Sequence, residues 1–106
     1  MRKKAEERVT ALPVLERIDE WIGNTPLVRL CRIGKADGAP IYVKMENLNP
    51  SGSMRDRYIA EIIERAVLSG NLVKGDTVAI AGLDDSAAGA ALISGALGVQ
   101  TQVFAP

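Results

Sequence analysis

The stretch Asn49-Pro50-Ser51-Gly52-Ser53-Met54-Arg55-Asp56-Arg57 constrains this chain more than any other. Pro50 and Gly52 break a strand running through residues 41–46, since proline has no N–H to donate and glycine holds no fixed backbone state. Ser51 and Ser53 are good helix caps, because a side-chain oxygen accepts from the free N–H groups of a first turn. Apolar residues then recur at Tyr58, Ile59, Ile62, Ile63, Ala66 and Val67, a helical period. A polar turn that feeds a helix N-terminus can bind an anion through backbone N–H groups and the helix dipole. Ser51, Gly52, Ser53 and Arg55 therefore form a candidate anion site, in which arginine can grip a phosphate or carboxylate with two hydrogen bonds. A plainer reading puts Arg57 in a salt bridge with Asp56 or Glu61 and leaves Arg55 facing solvent.

The rest of the pattern reads as a small α/β domain. Residues 13–22 read as a short helix with Val14, Leu15, Ile18 and Trp21 on one face. Residues 27–31 and 41–45 read as strands, paired antiparallel because their connection is too short for a parallel crossover. The helix from about Met54 stops near Ser69-Gly70. Residues 77–81, 86–97 and 99–105 read as strand, helix and strand, which implies a parallel pair with a right-handed crossover. Residues 1–12 are expected to be a solvated tail or frayed helix, and 13–106 a single domain. The helix over 86–97 is almost free of bulk at Ala87, Ala88, Gly89, Ala90, Ala91, Ser94, Gly95 and Ala96. Such a helix packs closely inside the domain or meets another chain. Asp84 or Asp85 is placed to cap it.

Composition narrows the function classes. Thirteen basic residues balance 13 acidic ones, so no electrostatic attraction to nucleic acid or membrane surfaces is expected. Histidine is absent, which removes the commonest general base and metal ligand. With one cysteine as well, neither a zinc site nor an internal disulfide is expected. A reducing cytoplasm is the default compartment. Cys31 reads as a small core residue, and a nucleophilic role fails for want of a base. Trp21 and Tyr42 read as packing residues. The charged start Met1-Arg2-Lys3-Lys4 is not followed by the apolar run of a secretory signal.

Three motifs, in order, carry a family resemblance. Ile22-Gly23-Asn24-Thr25-Pro26-Leu27-Val28-Arg29-Leu30, Val43-Lys44-Met45-Glu46 and Asn49–Arg57 resemble I-G-N-T-P-L-V-x-L, K-L-E and N-P-x-G-S-x-K-D-R of the cysteine synthase and cystathionine beta-synthase family. These are pyridoxal-phosphate (PLP) enzymes of fold type II. The resemblance runs from about Ile22 to Pro106 and implies a partial version of that fold.

It also implies where chemistry sits in the family. The lysine of K-D-R forms the Schiff base with PLP, and that position here is Arg55. A guanidinium stays protonated and cannot form the aldimine. Lys44 belongs to the strand motif and is no substitute. The family's T-S-G-N-T-G loop, which holds the substrate carboxylate, falls on Gly82-Leu83-Asp84-Asp85-Ser86-Ala87. Only Ser86 keeps a comparable hydroxyl, and Asp85 takes the place of the asparagine that meets the cofactor. Two carboxylates there repel an incoming carboxylate. The family's phosphate-holding loop lies beyond the point matched by Pro106.

The resemblance thus leads to a non-catalytic cysteine synthase-like protein (a pseudoenzyme) with no catalytic residue, no PLP and no metal of its own. It would act through self-association, as a homo-oligomer, or by binding a larger protein, because exposed sheet edges invite pairing. One alternative is a fragment or module of a PLP-dependent amino-acid enzyme. The other is a small anion-binding module built on the turn around Gly52.

Overall fold

A computed structural model describes residues 14–82 and 84–106. The expected tail over residues 1–12 lies outside the described residues. The elements run in the order β1 (Leu27–Leu30), β2 (Ile41–Lys44), α1 (Arg55–Leu68), β3 (Thr77–Ala81), α2 (Asp85–Leu97) and β4 (Gln100–Phe104). Single 3-10 turns occupy Ile18–Trp21 and Glu46–Leu48.

The two sheets have the expected topology. β1 and β2 pair antiparallel, with Val28 opposite Val43 and Leu30 opposite Ile41. β3 and β4 pair parallel, with Val78 opposite Thr101 and Ile80 opposite Val103. The crossover between them is α2, which packs on β3 and β4 from one side. Val78 and Ile80 point into the core under it. Thr101 fastens the layer by donating its hydroxyl to the Ala90 carbonyl at 3.3 Å.

The core is where α1 crosses α2. Ile59, Ala60 and Ile63 of α1 meet Ala90 and Ile93 of α2, closed by Leu72 and Val99. The buried face of α1 runs Asp56, Ile59, Ala60, Ile63, so Tyr58 and Ile62 of the expected apolar set lie outside it and are exposed. Gly89 explains how close the helices come. A methyl group placed there would sit 2.6 Å from Asp56 Oδ1. The alanine-rich helix is therefore used, on this face, for tight internal packing. It ends at Gly98, whose φ of +74° suits a residue without Cβ, and Val99 N–H returns to the Ser94 carbonyl at 2.9 Å.

Two expectations need correction. The helix expected over 13–22 is only the 3-10 turn Ile18–Trp21. Arg17 before it is extended, and its guanidinium grips Asp19 two residues on, a pairing that a continuous helix does not offer. Val14 and Ile18 consequently stay exposed. Cys31 is also exposed instead of buried. β1 ends at Leu30, and Cys31 lies just past it.

Candidate functional site

The turn before α1 folds around its own carboxylate. Asp56 is 1% exposed and accepts from Ser51 N–H at 2.8 Å and from the Ser51 hydroxyl. Ser53 Oγ accepts from Arg55 N–H at 3.2 Å, but the N-cap of α1 is Met54, without a side-chain cap bond, so neither Ser51 nor Ser53 is the expected cap. Gly52 N–H donates to the Asn49 carbonyl at 2.8 Å. Ser51, Gly52, Ser53 and Arg55 are thus brought together at the start of α1. The donors of Ser51, Gly52 and Arg55 already have acceptors within the chain, so an entering anion must compete with Asp56 or Asp84.

Arg55 reaches across to the other helix. Its Nη1 forms an ion pair with Asp84 Oδ2, 29 residues away. This corrects the reading of Arg55 as a side chain facing only solvent, although both partners remain nearly half exposed. Asp84 does a second job as the N-cap of α2, accepting from Ser86 N–H at 3.0 Å and from the Ser86 hydroxyl. The Ser86 donors, and then Arg55, hold the Asp84 carboxyl below the usual carboxylate range. Asp85, at the family's asparagine position, is exposed on the first turn of α2. Leu83 of the same loop lies outside the described residues. The two helix N-termini are thereby bridged at the places where the motifs depart from the family pattern.

A second constellation joins the places where the motifs are kept. Arg57 forks onto Glu46, with Nε on Oε2 and Nη2 on Oε1, both at 2.8 Å. This replaces the expected partners Asp56 and Glu61; the latter pairs with Arg65 instead. Glu46 also accepts from the Thr25 hydroxyl at 2.5 Å and from Asn49 Nδ2 at 2.9 Å. Asn49 Oδ1 in turn accepts from Gly23 N–H at 2.9 Å. Gly23 has φ +83°, and a Cβ there would press on Arg57 Nη1 at 3.1 Å. Arg57, then Thr25 and Asn49, push the Glu46 carboxyl far below its ordinary pKa. Nothing in local spacing signals this knot, because its members come from three separated segments. The shared order of the three motifs was the available clue.

Lys44 closes the base of the β1–β2 pair by donating Nζ to the Thr25 carbonyl. A cleft of about 450 Å³ lies beside the knot, lined by Leu15, Trp21, Pro26 and Leu48 among others. Trp21 is half exposed there, its indole N–H held by the Leu48 carbonyl at 2.8 Å. Among the described residues, no three His, Cys, Asp or Glu side chains are placed to hold a metal. None of the described helices is long and apolar enough to cross a membrane.

Comparison with known proteins gives the family and the fold. A "Pyridoxal-phosphate dependent enzyme" family model matches residues 18–106. The putative mitochondrial cysteine synthase of Saccharomyces cerevisiae is 48% identical over 61 residues, which is 58% of this chain and 16% of that protein. Cysteine synthase B of Salmonella typhimurium is 34% identical over 92 residues, 87% of this chain and 30% of that protein. The chain therefore spans less than a third of the length of these curated relatives. Among solved structures, O-ureido-L-serine synthase superposes with a TM-score of 0.82 at 31% identity, over 88% of this chain and 29% of that one. With motifs, fold and family model in agreement, this chain belongs to the pyridoxal-phosphate-dependent enzyme family of fold type II.

Proposed function

We propose that this chain is a cysteine synthase-type module of a PLP-dependent amino-acid enzyme fold, one that does not itself hold PLP covalently and works by association. The relatives that are cysteine synthases support the first part. The Arg55–Asp84 ion pair supports the second.

The residues present do not fit a covalently bound PLP. The family's lysine position offers a guanidinium, which keeps its proton at physiological pH and is already committed to Asp84. The nearest lysine in the motifs, Lys44, has its ammonium on a backbone carbonyl. On the other side, the loop that meets substrate in the family presents Asp84 and Asp85. Their charge opposes an amino-acid carboxylate, and Asp84 already satisfies the start of α2. No step through PLP follows from this chain's own side chains.

Incubation with PLP, reduction with borohydride and peptide mapping test this reading. The expected result is no visible aldimine absorbance and no pyridoxyl group on any peptide. A reducible band that maps to Lys44, or to any other lysine, overturns the non-catalytic part and leaves the module reading standing.

A further inference from the structure

The cleft beside the knot has a mostly apolar lining with a single charged residue, Glu20, next in the chain to its aromatic residue, Trp21. From that pairing we infer that the cleft binds a small amphipathic amine, an ammonium group carried on an aryl or alkyl body. The inference goes beyond the association proposed above and does not rest on it. Leu15, Trp21, Pro26 and Leu48 supply the apolar surface of a cleft of about 450 Å³. That size and lining are those of small-molecule sites, in which a few polar groups orient the ligand. Asn24 adds an amide whose oxygen can accept from an ammonium.

The walls are tied together before any ligand arrives. The indole N–H of Trp21 on the Leu48 carbonyl joins the turn Ile18–Trp21 to the turn Glu46–Leu48. Asn24, at φ +46°, is the one non-glycine residue with positive φ among the described residues. It sits between Gly23, held by Asn49, and Thr25, held by Glu46. A site built this way loses little freedom on binding. Charge then selects the occupant. Among the described residues Glu20 makes no ion pair, and its carboxylate accepts only the Glu16 N–H, at 3.4 Å. Arg17, the cation nearest in sequence, is committed to Asp19. An ammonium therefore meets an uncommitted carboxylate and an indole, both of which attract a cation. A carboxylate ligand meets repulsion from Glu20 and no cation in the lining. An uncharged ligand of the same shape gains the apolar contacts alone.

Trp21 is the only tryptophan of the chain, so tryptophan fluorescence of the full chain reads the cleft directly. Three probes of similar shape differ in charge: phenethylamine, phenethyl alcohol and hydrocinnamate. Phenethylamine is expected to give a saturable change, with an affinity about tenfold tighter than that of phenethyl alcohol. Hydrocinnamate is expected not to saturate. Glu20→Gln, at an exposed position, should cut the amine's advantage over the alcohol to about threefold and leave the far-UV circular dichroism unchanged. Leu15→Ser should weaken amine and alcohol alike. Asp37→Asn, in the exposed loop between β1 and β2, should change neither. Absence of saturation with phenethylamine overturns the inference. So does equal affinity for amine and alcohol, a preference for hydrocinnamate, an amine preference that Glu20→Gln leaves whole, or one that Asp37→Asn weakens as much.

Discussion

Two polar clusters sit at the start of α1, anchored there by Arg55 and Arg57, and they are built differently. The Gly23–Thr25–Glu46–Asn49–Arg57 knot keeps the family's residue types and fastens three segments together. The Arg55–Asp84 bridge uses residue types that depart from the family pattern. The knot is multivalent, since Glu46 meets three side chains and Arg57 forks onto it. The bridge is a single exposed ion pair, a class that contributes little to stability. The side chains that match the family motifs form the knot, and two that depart from them pair with each other.

The largest expected effect comes from the contact beneath both clusters. Gly89→Ala drives a methyl into Asp56, whose carboxylate holds Ser51, and is expected to cost about 1–3 kcal/mol in urea denaturation. Gly95→Ala on the same helix meets nothing within 4 Å and is expected to stabilise by about 0.5–1 kcal/mol. Equal effects from the two substitutions break the packing argument.

Arg57→Ala comes next. It strips Glu46 of its fork and Thr25 of a donor, and should lower the melting temperature more than Arg55→Ala does. The same knot predicts a pH dependence. Glu46 has a depressed pKa in the folded chain, so its contribution is complete above the ordinary glutamate value of about 4.3. It is lost as pH falls below that value toward the folded pKa. Glu46→Gln should therefore be least stable relative to wild type near neutrality and approach it in acid. A gap that widens in acid contradicts the assignment.

Arg55→Ala should change stability least of the charged substitutions, because its ion pair is exposed and Asp84 keeps its cap through Ser86. Phosphate or sulfate should leave the melting temperature unchanged. A rise abolished by Arg55→Ala would instead establish the anion site at Ser51, Gly52, Ser53 and Arg55. The smallest effect has the opposite sign. Ser94 buries a hydroxyl without a partner among the described residues, so Ser94→Ala should be neutral or mildly stabilising.

Much of the fold was readable from local pattern. The strand over 77–81, the helix expected over 86–97 (observed from Asp85) and the stop at Gly98 follow from period, cap and glycine, all within a few residues. The antiparallel pairing of β1 with β2 needs only a short connection. Tertiary pairings were not readable that way. Arg57 has acidic neighbours at Asp56 and Glu61, yet it turns to Glu46, because Asp56 is enclosed by Ser51 and Gly89. Arg55 and Asp84, 29 residues apart in the chain, meet only because α1 packs against α2. The helix expected over 13–22 is reduced to one 3-10 turn, with Arg17 extended and paired to Asp19 and most of the expected apolar face left exposed, and short helices depend on packing.

The most direct test of the central claim is an experimental structure of the full chain after exposure to PLP and borohydride. The guanidinium of Arg55 is expected on Asp84, with no density continuous from any nitrogen of the chain to the cofactor. Continuous density to Lys44 or to any other lysine would contradict the account.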